Sequence, residues 1–179
     1  MMKLAFLAVF LTANMAQAAD YCGLTADQVK AIPAALVGTW DGTFRDAIVL
    51  QNGKPQAMPS DTAAQSMKLQ LDGAKLTLAA DKMFPAIAFD PVSDVQDYAV
   101  QGESALDAAE FLAPEVTQAG LKCDPASLPQ LQGASPPGNI VSTFRIIGLT
   151  QDKAVLVIRS NGHGMSARAV FDLSRAPKS

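Results

Sequence analysis

Ala154-Val155-Leu156-Val157-Ile158 is apolar at every position, and a strand of that kind needs cover on both faces. It is therefore expected at the centre of a sheet. Strand patterns flank it at residues 140–149 and 165–173. The second alternates cleanly, Met165, Ala167, Ala169, Phe171 and Leu173 against Ser166, Arg168 and Asp172. Gln151-Asp152 and Asn161-Gly162-His163-Gly164 join the three, so the end of the chain reads as an antiparallel meander.

The same period recurs earlier. Trp40, Gly42 and Phe44 alternate with Thr39, Asp41, Thr43 and Arg45, and Ile48-Val49-Leu50 continues into a second strand or past a bulge. Residues 51–62 hold Asn52-Gly53 and two prolines and read as loop. Met67, Leu69 and Leu71, then Leu76, Leu78 and Ala80, form a hairpin about an Asp72-Gly73 turn. Residues 84–89 and 95–100 each suit a strand, and residues 132–138 a loop.

Helix signals are few. Residues 24–32 read as a helix in which Thr25 and Gln28 form a capping box and Leu24 and Val29 a hydrophobic staple, and Pro33 ends it after about two turns. Residues 103–119 place Leu106, Ala109, Phe111 and Leu112 on one side; Pro114 kinks this helix or starts a second, and Gly120 stops it. Asp124-Pro125 suits the cap of one further turn. Seven or eight strands with short flanking helices predict one mainly β domain over residues 19–179, an antiparallel β-barrel or a strongly curled sheet.

Residues 1–18 have the form of a secretory signal peptide: Lys3, an apolar run from Leu4 to Leu11, and Ala16-Gln17-Ala18 as an A-x-A cleavage site. The run is too short to span a bilayer, so no membrane span is expected. Ala19-Asp20-Tyr21 before Cys22 does not suit lipid attachment, and no Asn-x-Ser/Thr sequon occurs. The periplasm is the expected compartment. There the two cysteines, Cys22 and Cys123, predict one disulfide closing a loop of about 100 residues.

Gly38-Thr39-Trp40, opening the first strand after a capped helix, resembles the G-x-W signature of the lipocalins and other calycin barrels. The resemblance implies a Trp closing one barrel end under an Arg from near the end of the chain, here Arg168 or Arg175. Asp97-Tyr98 is similar to part of that family's second motif, T-D-Y. The chain is also similar in style to the bacterial secreted metalloprotease inhibitors, periplasmic barrels with one disulfide and a G-x-W-like opening strand.

Several function classes are excluded. Charged residues are 17% of the 179 and hydrophobic ones 49%, which does not suit disorder. A net charge of −3 gives no electrostatic footprint for nucleic acid. One His and two Cys leave no zinc ligand set. His163, with Ser160, Ser166 and Asp152 nearby in sequence, lacks a G-x-S-x-G elbow and reads as a turn residue. Asp90, Asp94, Asp97 and Glu103 lack the order of a calcium loop and read as solvated. No catalytic residue, metal or cofactor is assigned.

What remains is an apolar interior. Met58, Met67, Met83 and Met165 with five phenylalanines supply a core that can also line a pocket, because a barrel of about eight strands either fills or holds one small ligand. The pocket candidates are Trp40, Phe44, Met67, Leu69, Leu78, Phe144 and Phe171. The resemblance to lipocalins implies a non-enzymatic periplasmic binder of a small apolar or amphipathic molecule. The alternative is a barrel with a filled core that contacts a protein partner in the cell envelope, as a protease inhibitor or accessory factor. It would use residues 19–35, 51–62 and 81–94.

Overall fold

A computed structural model describes residues 20–56, 65–80, 84–92, 98–100, 103 and 106–177. Nine strands form one antiparallel sheet: β1 (Gly38–Gln51), β2 (Lys54–Gln56), β3 (Gln65–Asp72), β4 (Lys75–Leu78), β5 (Ile87–Val92), β6 (Gln130–Ala134), β7 (Val141–Thr150), β8 (Lys153–Gly162) and β9 (Met165–Arg175). From β3 onward each strand pairs with the next, and β9 returns to pair with β1. Eight strands thus close into a barrel, and β2 folds back on the far end of β1 as a short hairpin arm. Closure gives both outer strands of the meander a partner.

Strand alternation sorts side chains between two apolar clusters. Trp40, Met67, Leu69, Leu78, Phe89, Leu131, Phe144, Leu156 and Phe171 face inward. Ile147, Leu149, Val155, Val157 and Val170 face outward, yet are buried. Their cover is α2 (Ala108–Gln118), which contributes Leu112 and Val116, together with Tyr98 and Leu128. The fully apolar strand β8 is explained: Leu156 enters the barrel core while Val155 and Val157 pack under α2. The helix α1 (Ala26–Ala35) lies across one barrel end, where Ile32 and Leu36 join the interior cluster beside Trp40.

The disulfide forms between Cys22 and Cys123, 101 residues apart. With the Tyr21 amide donating to the Leu149 carbonyl at 3.1 Å and an Asp20–Thr150 bridge, it ties the start of the described chain to β7.

Several boundaries differ from the sequence reading. The hairpin turn is Gly73-Ala74, because Asp72 pairs with Lys75. Moving the turn by one residue shifts the pairing by two, so Leu69 and its partners keep their faces and apolar alternation cannot choose between the registers. Gly73, at φ 60°, supplies the positive angle at the first turn position. β1 runs unbroken through a bulge between Phe44 and Asp46, and Asn52-Gly53 turns it back into β2, where loop was expected. β8 extends to Gly162, leaving a two-residue turn, His163-Gly164. β6 reaches Ala134, into residues 132–138, where loop is expected. Its alternation is carried by Gln130 and Gln132 outward and by Leu131 and Gly133 inward, with a Gly where a Cβ would meet the Ala88 carbonyl oxygen at 2.4 Å.

Residues 98–100 are not strand; the Tyr98 amide bonds the Leu106 carbonyl instead. α1 continues past Pro33 to Ala35, since only the Pro amide is lost and the Leu36 amide still bonds Ile32. α2 starts late, at the Asp107 cap, and runs through Pro114. It ends in a Schellman motif at Gly120, with the Leu121 amide on the Val116 carbonyl at 2.9 Å. The turn capped by Asp124 forms as a 3-10 turn, Pro125–Ser127.

The loop closed by the disulfide predicts its weight. Replacing Cys22 and Cys123 by Ser should lower unfolding free energy by roughly 4–5 kcal/mol on the chain-entropy account. Urea unfolding of the oxidised protein and the double variant measures it; equal midpoints would contradict the assignment of this bridge as a main source of stability.

Candidate functional site

The seven pocket candidates do converge. Trp40, Met67, Leu69, Leu78, Phe144 and Phe171 are buried in the barrel interior and Phe44 packs against them half-buried. The two ends of that interior differ. At the α1 end it is sealed. Trp40 is fully buried, and its indole N–H donates to the Leu36 carbonyl at 2.9 Å. The Arg over it is Arg175, 4.5 Å from the ring centroid, and not Arg168. Arg175 donates to the carbonyls of Gln151, Val37 and Ala35 at 2.7–2.9 Å, so one guanidinium pins helix end, strand and turn together. Gly38 makes room for it: φ is 146° and a Cβ would stand 2.7 Å from Arg175 Nη1.

Further along, the interior is filled by aromatic edges. Phe44–Phe171, Phe84–Phe144 and Phe84–Phe171 meet near-perpendicular with centroids 5.6, 5.9 and 6.2 Å apart. Beyond them the wall thins. Ile158 and Ala169 are only partly buried against the core, and register places Ala47, Val49 and Ala167 on the same inward face, also partly buried. β1 pairs with β3 only over Gly38–Gly42, so among the described residues its other edge has no strand partner from Thr43 to Ile48. Among the described residues the barrel end opposite Trp40 is thus lined by small, partly buried side chains, with Ser142 and Ser160 on the same inward face. Met165 is half-buried in the strand that reaches it, and Met58 and Met83 lie outside the described residues.

His163 sits exposed at the β8–β9 turn with φ 50°, beside the Asn52-Gly53 turn, whose Asn52 amide donates to the Gly164 carbonyl at 2.7 Å. Asp152 lies at the other end of β8, ten residues of strand or about 30 Å away. Ser160 shares a hydrogen bond with Ser142 at 2.7 Å. The structure does not assemble His163, Asp152 and a serine. Of the four carboxylates, Asp90 pairs with Lys75 and Glu103 with Arg168, while Asp94 and Asp97 lie outside the described residues. Among the described residues no three metal-ligating side chains gather, and no helix is long and apolar enough to cross a membrane.

The outer face of β6–β9 holds chemistry that sequence reading missed. Gln130, Arg145, Ser166 and Arg168 are buried there. Four side chains stack in series: Arg145 lies 5.4 Å from the Tyr98 centroid, Tyr98 stacks on Phe111 at 4.5 Å, and Arg168 lies 5.5 Å from the Phe111 centroid. The Tyr98 hydroxyl donates to Gln130 Oε1 at 2.8 Å, and Arg168 donates to the Tyr98 carbonyl and to Glu103 at 2.8 and 3.1 Å. Between β6, β7 and β8 a cavity of about 150 Å³ opens, walled by Tyr98, Gln132, Thr143, Arg145, Val157, Arg159 and Asn161. One signal pointed here: Arg145 is a lone charge inside the apolar run Phe144–Leu149.

Burial pushes both tyrosines above the ordinary phenol value of 10.0. Arg175 pulls Tyr21 back, and the hydrogen bond and charge of Arg145 pull Tyr98 back. Unfolded phenols ionise before folded ones, so this stability is full below about pH 10 and is lost as pH rises through the folded values. Tyr21 and Tyr98 are the chain's two tyrosines, so tyrosinate absorbance reads both. Its rise should come above the free-phenol value and coincide with loss of structure; titration at the free-phenol value in the folded protein would contradict their burial.

No protein-family model, curated protein or solved structure matches the chain.

Proposed function

We propose that this is a non-enzymatic periplasmic protein that binds a small apolar or amphipathic molecule at the open end of its barrel. The observation that carries the reading is the asymmetry of the interior: sealed by Leu36, Trp40 and Arg175 at one end, and apolar, small-sided and half-exposed at Ala47, Val49, Ala167 and Ala169 at the other. A closed eight-strand barrel has room for one small ligand once part of its interior is lined by alanine. The sealed Trp–Arg end supports the likeness to lipocalins, although α2 falls between β5 and β6, whereas lipocalins place their main helix late. A signal-peptide pattern and a disulfide support a periplasmic setting.

Native mass spectrometry of protein drawn gently from the periplasm tests the reading. A stoichiometric low-mass adduct is expected on the wild type. Ala169→Phe should lose the adduct with the circular dichroism spectrum unchanged, and should lose saturable binding of the uncharged probe N-phenylnaphthylamine. A bare wild type that also fails to bind the probe would overturn it. One dominant protein recovered with that bare protein would favour the filled-barrel interaction reading instead.

A further inference from the structure

We propose a second binding site, for a small oxyanion such as a carboxylate or phosphate group, on the outer wall of the barrel at Arg145. This site does not depend on the mouth: Phe144 and Ile158 face the interior, while Arg145 and Arg159 stand on the other side of the same strands.

Arg145 is 4% exposed and carries a permanent charge. Three other guanidinia have carboxylate partners: Arg45 bonds Glu115 and Asp172, Arg168 bonds Glu103, and Arg175 approaches Asp152 at 3.5 Å. Arg145 differs. Its partners among the described residues are Gln130 Oε1 at 3.1 Å, the Tyr98 hydroxyl at 3.4 Å and Gln132 Oε1, all neutral. A buried guanidinium held by neutral groups alone is costly, and an anion relieves that cost. The three bonds use both hydrogens of Nη1 and one of Nη2. They leave Nε–H and one Nη2–H without a described partner, and these charged donors suit an oxyanion.

The surroundings fit such a ligand. Arg145 walls the cavity of about 150 Å³, and Arg159, Thr143 and Asn161 add a second cation, a hydroxyl and an amide. Arg159 pairs across the strands with Thr143, and Arg145 with Val157, so the two residues are diagonal neighbours on one face, roughly 7–8 Å apart at the backbone. The cavity has room for a small oxyanion such as phosphate or acetate.

The test is an NMR titration of the isotopically labelled full protein with inorganic phosphate and with acetate, chloride holding ionic strength constant. Saturable shifts are expected at the Arg145 and Arg159 Nε–H groups and the Asn161 side-chain amide. Arg159→Gln should weaken binding by roughly tenfold or more, the loss of one charged hydrogen bond. The tighter of the two ions identifies which oxyanion the site prefers. Absence of saturable shifts for both ions would overturn the proposal, as would shifts shared equally by every Arg. Asp94→Asn/Asp97→Asn is the second arm. Binding that appears only in that variant would assign the cavity to the chain's own carboxylates and likewise overturn an exchangeable site.

Discussion

Strand β1 is the seam on which the barrel depends. It pairs with β9 from Trp40–Arg175 to Gln51–Met165, and without that pairing the meander would end in two open edges. The same strand carries Trp40 and Gly42 into the sealed end and Phe44, Ala47 and Val49 toward the mouth. Its bulge sets the outer face as well. The extra residue at Phe44–Asp46 frees Arg45 to reach Asp172 on β9 and Glu115 on α2, so the helix covering the barrel is hooked to the strand that closes it.

Apolar alternation made the barrel legible. It placed β3, β4 and the final meander within a few residues, and the doubly apolar β8 implied cover on both faces before that cover was known. It failed where polarity and shape part company. Glycine and proline mark residues 132–138 as loop, yet β6 runs through Gln132–Ala134. Buried hydrogen bonds to Tyr98 and Arg145 satisfy the glutamines, and the glycine lets β5 and β6 approach. The hairpin turn shifted by one residue because a two-residue change of register leaves every apolar side chain on its face.

The candidate site was legible only in part, for a related reason. The seven residues named as pocket candidates lie in or against the interior cluster, since burial follows pattern. The sealing of the Trp40 end is not legible in that pattern, because it depends on Arg175, 135 residues from Trp40 in sequence, meeting the backbone of α1 and the Gln151 turn. The stack of Arg145, Tyr98, Phe111 and Arg168 draws on four separate segments, and no local spacing announces it.

The placement of polarity separates two kinds of recognition. The buried polar side chains Gln130, Arg145, Ser166 and Arg168 lie on outward strand faces, and Glu115 lies on the helix above them. An apolar mouth selects by size and hydrophobicity, and one methylene more or less changes its affinity only modestly. A guanidinium held in place by two glutamines and a tyrosine under a helical cover is different. Its donors are fixed in direction before any ligand arrives, and lowered dielectric strengthens each bond it makes. The buried polar chemistry of this chain therefore sits on the wall of the barrel, while the cluster in its interior is apolar.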